Sequence, residues 1–377
     1  MTQKFDAPVY VTRPLLPPLE EIHRRLADVW EAQWLTNAGA QHAALEEALR
    51  LHLRVPQLSL FNNGTIALLA AVRALGMTGE VITTPFTFPA TPHALSWSGA
   101  TPVFGDIDPA TMTLDAACVE ALVTPRTTGI LAVHVYGIPC DVAALQAVAD
   151  RHGLKVVYDA AHAFGTTIDG AGIGMFGDAS MFSFHATKLF HTAEGGALTC
   201  RRAESRTAFE HLKNFGILNQ EEVDVVGING KMNELQAALG LAVLECLAGE
   251  IARRRAILDR YRERLASVPG LTLMPEPAGV ESSCQYFVVR IDARAFGCSR
   301  DVVFETLKTY NVFARKYFYP LCTDYACYRG LPSAAPGRLP VAREVVEQVL
   351  CLPLYGALDL SAVDAICDMI MGIQARA

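Results

Sequence analysis

Alternating strand-like and helix-like segments between about residues 60 and 200 predict an α/β fold. In it a large, mostly parallel sheet is flanked by helices, and a smaller C-terminal α+β unit follows. Two further observations support this. Residues with chemistry to offer fall just after the apolar runs, where strands of such a sheet end. The chain, 377 residues long, is enough for one large core plus a second, smaller one. The predicted division is 1–250 for the large unit and 251–377 for the small one.

The elements follow in order. Residues 65–75 form an apolar helix stopped by Gly76, a C-cap signal. Residues 81–84 read as a strand ending at Pro85, and 130–135 as another. Val142–His152 reads as a helix that Gly153 ends, and 154–158 is the next strand. A further strand covers 179–182. A long helical stretch runs from about 232 to 265, with an interruption expected around Gly249. A strand at 285–291 and a Pro-punctuated segment at 317–353 belong to the smaller unit.

The composition, 51% hydrophobic and 19% charged, is that of an ordinary folded globule. The net charge is −7 and the signs are mixed along the chain, so nothing predicts a nucleic-acid partner. The start, Met1-Thr2-Gln3-Lys4-Phe5-Asp6, lacks the apolar core of a signal peptide. No apolar run approaches the roughly 20 residues that span a bilayer, so a cytoplasmic protein without a membrane segment is expected. The ten cysteines are scattered without a C-x-x-C pair, so they read as small structural hydrophobes, not as zinc ligands or disulfides.

The segment Ser183-Phe184-His185-Ala186-Thr187-Lys188, with Glu194-Gly195-Gly196 soon after, says most about chemistry. A lysine whose amine is freed by burial is a carbonyl nucleophile, although a lysine can also simply cap a strand end. Upstream, Val156-Val157-Tyr158 leads into Asp159-Ala160-Ala161-His162. A lysine at one strand end and a carboxylate on a neighbouring strand are what a pyridoxal 5'-phosphate (PLP) enzyme needs. The lysine forms the Schiff base and the acid partners the pyridine nitrogen. Beside that cofactor reading, which outweighs them, Asp159 has two others: a helix cap or, with His162 three residues on, a metal ligand. No H-E-x-x-H pattern supports the metal. Asn62-Asn63-Gly64-Thr65 opens the helix 65–75, and the free N–H groups of a helix start attract phosphate. Gly64 lets the anion approach and Thr65 adds a hydroxyl. Phe88 follows the strand 81–84, where a ring either stacks on a cofactor or joins the core.

Together these motifs resemble the DegT/DnrJ/EryC1/StrS family of PLP-dependent sugar aminotransferases. The likeness extends through Trp34-Leu35-Thr36-Asn37, Phe61-Asn62-Asn63-Gly64-Thr65 and Val133-His134-Val135-Tyr136-Gly137. It continues in Gly227-Ile228-Asn229-Gly230-Lys231-Met232 and Arg315-Lys316-Tyr317-Phe318-Tyr319-Pro320. The resemblance implies the fold-type I aminotransferase architecture and no metal. It makes Lys188 the Schiff-base lysine and proton shuttle, and Asp159 the pyridinium partner. His162 falls near the ring hydroxyl, Phe88 on the ring face, and Ser183 with Gly64 and Thr65 on the phosphate. Asn229 is implied to reach the phosphate of the neighbouring subunit, making a homodimer with shared active sites. Lys231, Arg315, Lys316, Tyr317 and Tyr319 are candidates for holding the nucleotide sugar. Two departures stand out: Lys231 replaces a common arginine, and His162 replaces a common glutamine.

The implied reaction moves the amine of L-glutamate to the ketone of a nucleotide-linked 6-deoxyhexose. The motif set is most similar to members that aminate C4 of dTDP-4-keto-6-deoxy-D-glucose. Amination at C3, or of a UDP- or GDP-linked ketosugar, uses the same cofactor residues and stays open. Members with histidine at the lysine position act as dehydratases, so Lys188 favours transamination. Rival classes are a nicotinamide dehydrogenase, a zinc hydrolase and a non-catalytic regulator on the same fold. Gly172-Ile173-Gly174 lacks the strand–turn–helix context of a dinucleotide site. A purified protein that is yellow separates the PLP enzyme from the other classes.

Overall fold

A computed structural model describes residues 4–36 and 38–376. Met1, Thr2, Gln3 and Asn37, named above, lie outside the described residues. After a short strand, Val9–Tyr10, come two helices, α1 (Leu19–Ala32) and α2 (Ala40–His52). The large unit is built on seven strands: β1 (Gln57–Phe61), β2 (Glu80–Thr83), β3 (Thr101–Phe104), β4 (Thr127–Val133), β5 (Lys155–Asp159), β6 (Ala179–Ser183) and β7 (Gly196–Cys200). They pair in the order β1-β7-β6-β5-β4-β2-β3. The pairs among β3, β2, β4, β5 and β6 are parallel, whereas β7 runs antiparallel between β6 and β1. Strands covered on both faces read as unbroken apolar runs, which is why Ile130, Leu131, Val156 and Val157 are all fully buried.

Helices α3 (Gly64–Ala74), α4 (Ala90–Trp97), α5 (Ala116–Leu122), α6 (Val142–His152) and α7 (Ala203–Lys213) accompany the sheet. Their ends follow local chemistry. The Asp141 side chain accepts the Ala144 N–H to start α6, and Gly153, at φ +67°, stops it. Helix α8 (Glu234–Leu265) opens with a capping box between Asn233 and Gln236. The expected break at Gly249 does not occur. Gly249 is solvent-exposed, and one exposed helical glycine costs only about 1 kcal/mol. The packing of α8 outweighs that. Its apolar faces lie on α1, α2 and on α11 (Leu360–Gln374). By length and composition α8 could also cross a membrane, contrary to the expectation that no apolar stretch is long enough. Here Ala237, Ala238, Ala242, Val243 and Leu247 are buried in protein instead. Glu234 is buried at its start and accepts the Gln41 and His42 N–H groups at 2.8 Å each, tying α2 to α8.

The C-terminal region forms an antiparallel sheet of β8 (Leu271–Leu273), β9 (Phe287–Ile291) and β10 (Val349–Leu352). Around it lie α9 (Arg300–Thr309), α10 (Pro340–Val346) and α11. Its core joins Ile257, Leu258 and Tyr261 of α8 to Phe287, Leu352, Ile366 and Ile370. We propose residue 250, inside α8, as the division between the units. Val9 packs in the small-unit core, because Val9–Tyr10 pairs with Val312–Phe313.

Strand β9 begins at Phe287, two residues later than the sequence pattern predicts. Gln285 and Tyr286 therefore lie just before the sheet and contact the large unit. Phe86, Tyr136 and Phe318 form an aromatic seam between the units.

Candidate active site

The register places the candidate residues along one edge of the sheet. Asp159 ends β5 and Ser183 ends β6. Gly196, at the start of the antiparallel β7, pairs with both Ser183 and Phe61. The turn after β1 that opens α3 thus lies on the same edge. A cavity of about 270 Å³ opens there, lined by Gly64, Thr65, Phe88, Asp159, His162, Ser183, Lys188 and Tyr317.

Lys188 sits on a turn whose N–H donates to the His185 carbonyl at 2.9 Å. The buried Leu189 and Phe190 anchor its far side. Burial lowers its amine to about 8, while the charge of Asp159 acts in the opposite direction. The neutral, nucleophilic amine therefore becomes abundant as pH rises through about 8. Capture of PLP by the cofactor-free protein is expected to accelerate over that interval, followed by the growth of visible absorbance after mixing. A rate constant flat from pH 6.5 to pH 9.5 would contradict the lowered amine.

Asp159 is only 5% exposed. One oxygen accepts the Ala161 N–H at 3.0 Å, so the cap reading holds in part, and the other accepts the Thr91 hydroxyl at 2.8 Å. Thr91 in turn hydrogen-bonds to Thr87. Burial raises the carboxyl, with these hydrogen bonds and Lys188 opposing. Among the described residues no basic side chain lies within ion-pair distance of Asp159. A buried carboxylate on the cavity wall with no ion-pair partner is suited to a protonated heterocycle.

His162 accepts the Tyr136 N–H on Nδ1 at 3.2 Å. Burial first, then Lys188, pushes its pKa well below the ordinary value. The ring is therefore neutral, with its proton on Nε2. It lies parallel to Phe318 at 5.5 Å and meets Tyr286 edge-on at 4.9 Å. Phe88 is 59% exposed on the cavity wall, which excludes the core alternative.

The α3 start is built for close approach. The Asn63 side chain takes the Ile66 N–H, leaving the first backbone N–H groups of α3 free for an anion. A Cβ on Gly64 would meet Met181 Sδ at 2.9 Å and Ser183 Cβ at 3.2 Å, so only glycine fits beside β6. A reactive amine, a buried carboxylate, a neutral imidazole, an exposed ring face and a helix N-terminus thus surround one space. These residues fit PLP. A metal is not suggested: among the described residues no group of three His, Cys, Asp or Glu gathers to hold one.

Five sequence candidates do not line this cavity within the chain. Lys316 pairs with Asp301 at 2.7 Å and lies over the Phe304 ring. Tyr319 packs on the Arg300 guanidinium, and Arg315 is solvent-exposed. Lys231 lies over the Phe215 ring, 4.5 Å from its centre. Asn229 is exposed, and its carbonyl accepts the Asn62 amide at 3.3 Å. The sequence pattern assigns no role to Thr91 or Tyr286, and His185, Glu194 and Phe318 stand in it only as members of motifs. Thr91 lies only three residues past Phe88. The pattern predicts a strand through Tyr286, and no periodic signal marks its exit from the sheet.

Residues 19–371 match the model of the DegT/DnrJ/EryC1/StrS aminotransferase family. The chain is 44% identical to a dTDP-4-amino-4,6-dideoxy-D-glucose transaminase of Escherichia coli, covering 97% of this chain and 99% of that protein. A transaminase of the same description from Shigella dysenteriae is 42% identical over 98% of this chain and its own full length. The crystal structure of DesI in the presence of its TDP-sugar product superposes with a TM-score of 0.94. That likeness covers 99% of this chain and 95% of DesI at 39% identity. The architecture is that of fold-type I aminotransferases, with a large, mostly parallel sheet and a smaller C-terminal unit. With a family match that takes in nearly the whole chain, including both Asp159 and Lys188, this protein belongs to the DegT/DnrJ/EryC1/StrS aminotransferases.

Proposed function

We propose that this enzyme uses PLP to move the amine of L-glutamate to C4 of dTDP-4-keto-6-deoxy-D-glucose. The observation that carries this reading is the full-length similarity to dTDP-4-amino-4,6-dideoxy-D-glucose transaminases. It gains support from a cavity that holds Lys188 opposite the buried Asp159. Bound PLP supplies the electron sink for carbanion chemistry. The chain supplies the rest. Lys188 Nζ would attach the cofactor and hold the proton that is exchanged with the reacting carbon. Asp159 would keep the pyridine nitrogen charged, His162 would offer Nε2–H to the ring hydroxyl, and Phe88 would cover the ring. The α3 start, Thr65 and Ser183 hold the phosphate.

Asn229 is assigned to the phosphate of the neighbouring subunit in a homodimer. Exposed Phe88, Trp97, Phe215, Val223 and Val226 provide apolar surface for such an assembly. If the sites are shared, Lys188→Ala and Asn229→Ala are each inactive alone and regain partial activity when mixed and allowed to exchange subunits. A fully active monomer contradicts the shared site. Lys231, Arg315, Lys316, Tyr317 and Tyr319 remain candidates for the nucleotide sugar, and all except Tyr317 would have to act in the assembled dimer. The unpaired cysteines suit the reducing cytoplasm.

The substrate is tested by incubating enzyme, PLP and glutamate separately with the 4-keto and 3-keto forms of the dTDP-6-deoxyhexose. Turnover of the 4-keto sugar is expected. Turnover of the 3-keto sugar alone would move the assignment to C3.

A further inference from the structure

The segment Ser283–Tyr286, just before β9, reaches from the small unit to both halves of the site. Gln285 is 2% exposed, and its side-chain amide spans the two peptide groups that flank Lys188. Its carbonyl oxygen accepts the Leu189 N–H at 2.7 Å, and its NH2 donates to the Thr187 carbonyl at 3.2 Å. A side-chain amide thus pairs with this turn as a neighbouring strand would. Two residues earlier, the Ser283 hydroxyl donates to the His162 carbonyl at 2.8 Å, and its N–H donates to the Thr166 hydroxyl at 3.2 Å. Next in line, Tyr286 sets its ring against His162. The approach is close enough to need Gly137, at φ +90°: a Cβ there would lie 2.6 Å from Ser283 Oγ and 2.7 Å from the His162 carbonyl.

We infer that Gln285 is a positioning residue for Lys188, holding the lysine turn from the small unit by gripping the peptide on either side of it. The inference rests on the functional reading only in taking Lys188 as the attachment point. Apart from the buried Leu189 and Phe190 on its far side, the turn has few other restraints. His185 and Thr187 are exposed, and the hydrogen bonds of that stretch run mostly between its own members. Without the amide, the buried Leu189 N–H and the Thr187 carbonyl lose their partners. The turn then loosens, and Lys188 Nζ samples positions away from the reacting carbon. Misplacement of a catalytic group by about 1 Å costs up to about 10²-fold in rate.

The test compares Gln285→Leu, which removes both arms, with Gln285→Glu, which keeps the acceptor for Leu189. In cofactor-free protein, amide hydrogen exchange of peptides covering 185–191 is expected to rise at least about 10-fold in Gln285→Leu. Peptides from β4 and β5 should remain unchanged. In the PLP-loaded protein, kcat is expected to fall about 10–100-fold while the KM for glutamate stays within about 3-fold. The pH at which the visible band changes should shift, and Gln285→Glu should lie between Gln285→Leu and wild type on every scale. If Gln285→Leu does not fold, Gln285→Glu carries the same comparison at smaller amplitude. Unchanged exchange at 185–191 together with an unchanged spectral titration in a folded variant would overturn the inference. The exchange measurement needs no cofactor. A failure of the PLP reading would therefore appear as absent colour in wild type, with the exchange result intact.

Discussion

Lys188→Ala is expected to lose at least about 10³-fold of amino transfer, because covalent attachment and proton transfer vanish together. The fold should persist. The turn that carries Lys188 is anchored by Leu189, Phe190 and Gln285, none of which needs the amine. Burial lowers the Lys188 amine to about 8. In the cofactor-free chain its charged form therefore carries a stability cost, complete below about pH 8 and absent once pH exceeds the unfolded lysine value. Cofactor-free Lys188→Ala should melt no lower than wild type at pH 7, as read by circular dichroism. A steep fall in the melting temperature would show that Lys188 is structural, and retained turnover would remove it from the chemistry.

Asp159→Asn is expected to keep binding PLP but lose about 10²–10³-fold in kcat, the scale on which one preorganised electrostatic partner acts. A neutral amide accepts and donates hydrogen bonds with little change of shape, so Thr91 and the Ala161 N–H retain a partner. What is lost is the charge that keeps the pyridine nitrogen protonated. Burial raises the Asp159 carboxyl, so its ionisation in the cofactor-free protein costs stability as pH climbs above the unfolded carboxylate range. The cofactor-free variant should match or exceed the thermal stability of wild type at pH 7–8. A kcat within a few-fold of wild type would leave Asp159 only its role as a turn cap.

Much of this arrangement is legible in the chain, for physical reasons. Buried parallel strands must be apolar along their whole length, so β4, β5 and β6 announce themselves, and α6 runs from Val142 to the stop that Gly153 marks in the sequence. Ligands of such sheets gather at carboxyl ends, which is why Asp159 and Ser183 can be chosen from position alone. Other features depend on contacts that no local pattern encodes. The reversal of β7 between β6 and β1 is set by pairing across the sheet. The continuity of α8 through Gly249 comes from partners distant in sequence. Arg315, Lys316 and Tyr319 share a motif with Tyr317 and Phe318, yet of these five only Tyr317 and Phe318 line the cavity, because a sequence does not tell which way a loop side chain turns. Gln285 is silent for the same reason: its role lies in two peptide groups nearly a hundred residues away.

The account stands on Lys188 being the group that holds the cofactor's carbonyl. Borohydride reduction of the PLP-loaded protein fixes that bond permanently, and peptide mapping by mass spectrometry then locates it. The label is expected on the peptide containing Lys188 and on no other. A label on Lys213 or Lys231, or no label on a protein that still transfers the amine, would contradict the account.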